Sequence, residues 1–277
     1  MSTHIGEPVS FEMHKTAVAM PDGRTQFYYD FAPRGAQPPY LEQHQQAAQQ
    51  TPPTGPRLLE LPPEMRWNPT LGEWVVVAAN RMGRAMLPSP DACPLCPGIL
   101  ELPLPYQVAV FENRSPAMAY IPGDVALPDT HSAFDLTAPA RGRCDLVVYS
   151  QKHNSKLAQM PLDDIACLVE AWRDRYGELI ALPEIQFVSI FENKEREAGM
   201  TLDHPHGQIY AFPFIPPLLL AQWNQTQLFA SRGDDLWTQV LEREEKGERI
   251  IAQPEGFLAA IPHYARYPYD CLLYTSD

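Results

Sequence analysis

HPHGQIYAFPF, residues 204–214, sets two imidazoles two positions apart and runs on into Ile209, Tyr210, Ala211 and Phe212. That continuation has strong strand preference. Alternate side chains of a strand share a face. His204, His206 and Gln208 are therefore expected to form one polar row on a strand over 207–213. A solvated edge strand accounts for a lone histidine but poorly for three spaced polar groups. The chemistry of the row suits attack on phosphorus. A neutral imidazole is a good nucleophile and can leave again from the covalent product. Gly207 has no side chain to block a phosphate approaching the backbone. The Gln208 amide can donate to a phosphoryl oxygen as charge builds there.

Outward from the row, further strands are expected at 73–79, 107–112, 145–149, 184–192 and 257–262. The clearest helix is PLDDIACLVEAWRDRYGELIAL, residues 161–182. Its Ile165, Leu168, Trp172, Tyr176 and Ile180 recur at helical spacing, and Asp163 and Asp164 suit its positive N-terminal end. A second helical region runs from about Pro217 to Lys246, with a break near Gly233. Near the start, residues 16–30 read as a hairpin turning at Pro21, Asp22 and Gly23. Residues 31–57 are rich in Pro, Gln, Ala and Gly and read as a polar linker or mobile loop.

The 277 residues are 45% hydrophobic, enough for a sizeable core in one or two domains. Thirty prolines predict short elements and many loops. A net charge of −13 with no basic stripe argues against a nucleic-acid surface, but it leaves room for a nucleotide substrate. No apolar run is long enough to span a bilayer. The first residues lack a signal-peptide pattern, so the expected compartment is the cytoplasm. Five cysteines then read as thiols or metal ligands rather than disulfides.

Other candidates carry weaker signals. Cys93 and Cys96, in CPLC, have the spacing of a zinc knuckle, a redox pair or two packed thiols. Cys167 falls on the predicted helix as a core thiol. Arg81 and Arg84 follow a strand, where solvated arginines are common. Asn113 and Asn193 each end a strand-like run, where asparagine often closes a turn.

The row, preceded by FENKEREAGMTLD at 191–203, resembles the galactose-1-phosphate uridylyltransferase branch of the histidine-triad superfamily. Hydrolases of that superfamily carry a third histidine where this chain has Gln208. RWNPTLGEWVVVAANRMGR at 66–84, CPLC at 93–96, VFENRSPA at 110–117, DLVVYSQKHNSKL at 145–157 and GFLAAIPHYARYPYD at 256–270 extend the resemblance in order.

The resemblance implies an α+β fold, a histidine-triad-like half-barrel with an antiparallel sheet and flanking helices. It implies an N-terminal extension over 1–57, a first domain over 58–249, and the opening of a second over 250–270. It also implies one structural zinc on Cys93, Cys96, His153 and His204. His206 would be the nucleophile, assisted by Gln208. Arg81, Arg84, Asn113, Asn193 and Thr201 would contact substrate, with Met200 standing where relatives often have a smaller residue. The implied reaction moves a uridylyl group from UDP-glucose to galactose 1-phosphate through a uridylyl-histidine, in a homodimer. An ADP-sugar phosphorylase, a hydrolase disfavoured by Gln208, and a non-catalytic zinc-stabilised nucleotide-binding module are the alternatives. Some relatives hold a second metal with a glutamate where this chain has Gln222. A neutral amide is a poor ligand for a divalent ion, so none is expected here. The last seven residues, 271–277, also resemble one reading frame of a transposon adaptor used in DNA library preparation. They are expected to be a non-native tail on a shortened chain, leaving the strand at 257–262 without later partners.

Overall fold

Alternation of buried and half-buried residues along the strand that begins at His206 marks a sheet covered on both faces but open along part of one. The computed structural model of the chain describes residues 12–20, 22–32, 62–82, 93–98, 101–119 and 134–275. Two compact units, Met1–Phe214 and Ile215–Asp277, divide it. Both mix helix with antiparallel sheet, the α+β class expected.

The first unit contains nine strands among its described residues: β1 (His14–Ala19), β2 (Thr25–Asp30), β3 (Glu64–Asn68), β4 (Glu73–Val77), β5 (Val108–Glu112), β6 (Thr137–Pro139), β7 (Arg143–Val148), β8 (Phe187–Phe191) and β9 (His206–Phe212). Six form one sheet in the order β1-β2-β5-β7-β9-β8, with every neighbour antiparallel. A smaller sheet has the order β4-β3-β6. The hairpin expected at 16–30 is β1–β2. It is no appendage, because Gln26–Tyr29 of β2 pair with Val108–Phe111 of β5. The expected linker lies outside the described residues, apart from its first two positions.

Adjacent residues of the large sheet serve opposite layers. Tyr29, Val110, Val147 and Ile209 are buried with Cys167, Leu168, Ala171 and Leu179 of helix α1 (Leu162–Ile180). Tyr28, Ala109, Phe111 and Val148 are buried on the other side with Leu95, Leu102, Leu104 and Tyr106. One face of α1 does not follow the apolar spacing. Tyr176, expected to point inward, is exposed. Arg175 takes the inward position instead, because Asp145 of β7 lies beneath it at 2.7 Å and the Phe27 ring 4.8 Å away. Burial opposes its charge, but Asp145 and Glu178 more than offset that and hold the guanidinium pKa above its usual value. Lys15 and the Tyr29 hydroxyl hold Asp174 from the sheet side, at 2.6 and 2.8 Å.

The second unit begins with helices α2 (Pro217–Ala230) and α3 (Leu236–Glu245). They part where predicted, at Gly233, which has φ +81°. Asp235 starts α3 by accepting from the backbone N–H groups of Trp237 and Thr238. Strands β10 (Ile250–Ala252), β11 (Phe257–Ala260) and β12 (Leu272–Thr275) complete the unit. The strand at 257–262 does not lack partners. β11 pairs with β10 on one side and with Leu272–Thr275 of the supposed tail on the other. Side chains that suit a strand close that edge whatever their origin. The predicted division at 249/250 also differs from the observed one, since α2 and α3 cluster with β10, β11 and β12. Among the described residues no helix is long and apolar enough to cross a membrane.

Candidate active site and metal centre

His206, Gln208 and Tyr210 occupy one face of β9 and line a cavity of about 550 Å³. Arg81, Asn113, Asn193, Met200 and Thr201 line it as well. Every described residue that the sequence proposed for substrate contact therefore meets in one place. Arg84 lies outside the described residues. Phe111, Leu146 and Phe191 supply apolar wall.

His204 leaves the predicted row. β9 starts at His206, and His204 is fully buried on the far side of the preceding proline. The Pro205 carbonyl is drawn into the sheet by the Tyr149 N–H, and Pro205 itself has no N–H to extend the ladder. The actual row is His206, Gln208 and Tyr210. Its third member was legible from spacing alone, two residues beyond Gln208, but was read only as a strand former.

Gly207 also needs a different reason. It faces the helix layer, not the cavity. A Cβ there would lie 1.9 Å from the Tyr149 hydroxyl oxygen and 3.0 Å from the Phe191 carbonyl. Close packing against Tyr149 requires the glycine, rather than approach of a phosphate.

His206 Nδ1 lies 2.7 Å from the His204 carbonyl oxygen. A carbonyl only accepts, so Nδ1 carries the proton and Nε2 keeps its lone pair. Arg81 ends a short 3-10 turn and donates to the Tyr210 hydroxyl at 3.2 Å and the Ser115 carbonyl at 3.4 Å. Asn113 does close a turn, since its Oδ1 accepts from the Ser115 N–H at 2.9 Å. That orientation leaves its NH₂ as a donor. Glu101, a carboxylate of the same wall, is held by buried Arg24 at 2.8 Å and by Arg114 at 2.5 Å.

Behind the cavity, Cys93, Cys96, His153 and His204 converge, with their ligand atoms all within 4.8 Å of one another. Cys93 Sγ and Cys96 Sγ lie 3.8 and 3.6 Å from His204 Nδ1, and Cys96 Sγ lies 3.5 Å from His153 Nδ1. Tetrahedral arms of about 2.3 Å to sulfur and 2.1 Å to nitrogen give edges of about 3.6 Å. Those three sulfur–nitrogen separations match such edges, so the four side chains could hold a metal ion. Tautomer and protonation agree. His204 Nε2 donates to the Ser150 carbonyl at 2.6 Å, so Nδ1 presents its lone pair to the sulfurs. Burial holds the His204 pKa down to about 4, keeping the ring neutral. Burial pushes the Cys93 thiol up to about 11, a cost that a cation would reverse by binding thiolate. Cys144 and Cys167 are buried core thiols away from this group. Gln222 is an exposed residue of α2, its carbonyl bonded to the Thr226 hydroxyl.

The sequence model described as galactose-1-phosphate uridyl transferase, N-terminal domain, matches residues 58–216. The chain belongs to this family. A galactose-1-phosphate uridylyltransferase of Thermotoga maritima is 40% identical over 212 residues, covering 76% of this chain and 66% of the relative. One of Streptomyces lividans is 34% identical over 267 residues, covering 95% and 67%. The chain thus spans about two thirds of the length of these family members. A solved uridylyltransferase superposes with a TM-score of 0.65 at 28% identity, covering 76% of this chain and 65% of that one. An ADP-glucose phosphorylase from Arabidopsis thaliana shares the fold at 22% identity, with a TM-score of 0.55 and coverage of 78% and 69%.

Proposed function

We propose that this family member carries out uridylyl transfer between UDP-glucose and galactose 1-phosphate, with His206 as the nucleophile. The observation that carries the reading is the tautomer of His206. Its Nδ1–H is held by the His204 carbonyl, so Nε2 carries the lone pair, and the ring lines the cavity together with Gln208 and Arg81. Nε2 would form a bond to the α-phosphorus as the bond to the bridging oxygen breaks, and glucose 1-phosphate would leave. The phosphate oxygen of galactose 1-phosphate would then attack the same phosphorus. The N–P bond would break, releasing UDP-galactose and restoring neutral His206. Gln208 donates to the phosphoryl oxygens, and Arg81 balances their charge. The Asn113 NH₂, Asn193 and the Thr201 hydroxyl are assigned to ribose, sugar and phosphate contacts, and Arg84 to phosphate.

The metal we assign to Cys93, Cys96, His153 and His204 is zinc, since two thiolates and two imidazoles in a tetrahedron suit it. All four positions are filled by protein, so its part is structural. It ties the 93–96 turn to the end of β7 and the start of β9. The working form is proposed as a cytoplasmic homodimer. The test is to incubate the chain with UDP-glucose or ADP-glucose labelled in the α-phosphate and to locate the bound label. Label from UDP-glucose on His206 is expected. Label on another residue, or from ADP-glucose alone, would overturn the assignment.

A further inference from the structure

Among the described residues the cavity holds two arginines in different electrostatic states. Arg114 is paired with Glu101, and that carboxylate is itself shared with buried Arg24. Arg81 makes its hydrogen bonds to neutral oxygens, the Ser115 carbonyl and the Tyr210 hydroxyl. Of these two, Arg81 is the one whose charge is left to meet an anion.

Arginine bonds phosphate well only when its planar fork is already aimed. The turn that carries Arg81 is fixed at its base, where Asn80 Nδ2 donates to the Pro116 carbonyl at 3.1 Å. Its head is fixed by Tyr210. The Tyr210 ring is itself held edge-on against Phe191, with centroids 5.0 Å apart, and lies 6.1 Å from the Phe212 ring. The hydroxyl oxygen is thus an anchored acceptor. Nη1 is engaged, and the remaining N–H groups of the fork are left for a ligand.

Resting on the reading of this cavity as a phosphate site, we infer that Tyr210 is a positioning residue, holding Arg81 for the phosphate groups of a nucleoside diphosphate and contributing nothing to nucleoside recognition. On β9 it follows His206 and Gln208 along the same face. One strand face therefore presents a nucleophile, an amide donor and an arginine anchor in succession.

Tyr210→Phe keeps the ring contacts and removes only the hydroxyl. Calorimetric titration of the full chain with UDP and with uridine separates phosphate from nucleoside binding. The variant should bind UDP about tenfold more weakly, the scale of one hydrogen bond, and uridine unchanged. In the free protein, the Arg81 Nε–H resonance, identified by its loss in Arg81→Lys, should be distinct in wild type and averaged with the solvated arginines in Tyr210→Phe. Adding Tyr210→Phe to Arg81→Lys should weaken UDP binding no further. Wild type that prefers UDP over uridine, with affinity and Arg81 resonance unchanged in the variant, would overturn the positioning role while leaving the proposed function intact. Equal loss for UDP and uridine would also overturn it. Wild type with no preference for UDP, but with an Arg81 resonance that collapses in the variant, would instead overturn the phosphate reading and keep the anchor.

Discussion

His204 and His206 stand two residues apart and are set by the same device, yet they serve two different regions. Each ring gives one N–H to a backbone carbonyl, His204 through Nε2 to Ser150 and His206 through Nδ1 to His204. Opposite nitrogens therefore carry the lone pair. His204, fully buried, presents Nδ1 to two sulfurs, and His206 lines an open cavity. The difference shows that a histidine's chemistry is chosen by which nitrogen the backbone takes, and by how much water the other can reach. It also links the regions, because the carbonyl that orients the proposed nucleophile belongs to a residue of the knot.

The sharpest way to test that separation is His206→Ala. Loss of covalent label and of transfer by more than about 1,000-fold is expected. Bound metal, measured by elemental analysis, should remain at the wild-type ratio. The converse change, Cys96→Ser, should release the metal and destabilise the first unit by on the order of 4 kcal/mol, read by chemical denaturation. His206→Ala should barely move the same transition. If both variants lost metal equally, the two regions would be one.

Protonation sharpens the comparison further. In metal-stripped protein, burial keeps the His204 pKa near 4, against an ordinary value of about 6.5. Between those values the unfolded chain binds the proton and the folded chain does not. The stability held by the neutral ring is therefore complete above pH 6.5 and is lost as pH falls toward 4. Roughly 3 kcal/mol should disappear across that window in denaturant titrations of metal-free protein. His204→Gln should flatten the dependence. The smallest effect concerns the opposite face of β9. Gly207→Ala should destabilise the fold by about 1–3 kcal/mol, because Tyr149 must move to admit the methyl group. Trimming Tyr149 to Phe in the same chain should recover part of that loss.

Much of this was legible in the order of residues. The strand preference after Gln208, the helical spacing over 161–182 and the glycine break between α2 and α3 are local properties, and each produced the expected element. The weak strands were not legible. β6 and β10 have three residues each and form only because a neighbouring strand is already in place. The same holds for β12, whose pairing with β11 contradicted the expected open edge.

By itself the sequence determined which groups were present and how they alternate: two imidazoles, an amide and a tyrosine at even positions, with proline, glycine and isoleucine between them. Alternation follows from backbone geometry alone, so His206, Gln208 and Tyr210 had to share a face once β9 formed. Only the tertiary structure decided that His204 leaves the row for the cysteines, that Gly207 answers to Tyr149, and that Arg175 rather than Tyr176 turns inward. The physical reason is common to all three. Each depends on a group brought near by folding from a distant part of the chain, or packed against it across a sheet: a thiol, a phenol oxygen or a carboxylate. No local pattern encodes such a neighbour.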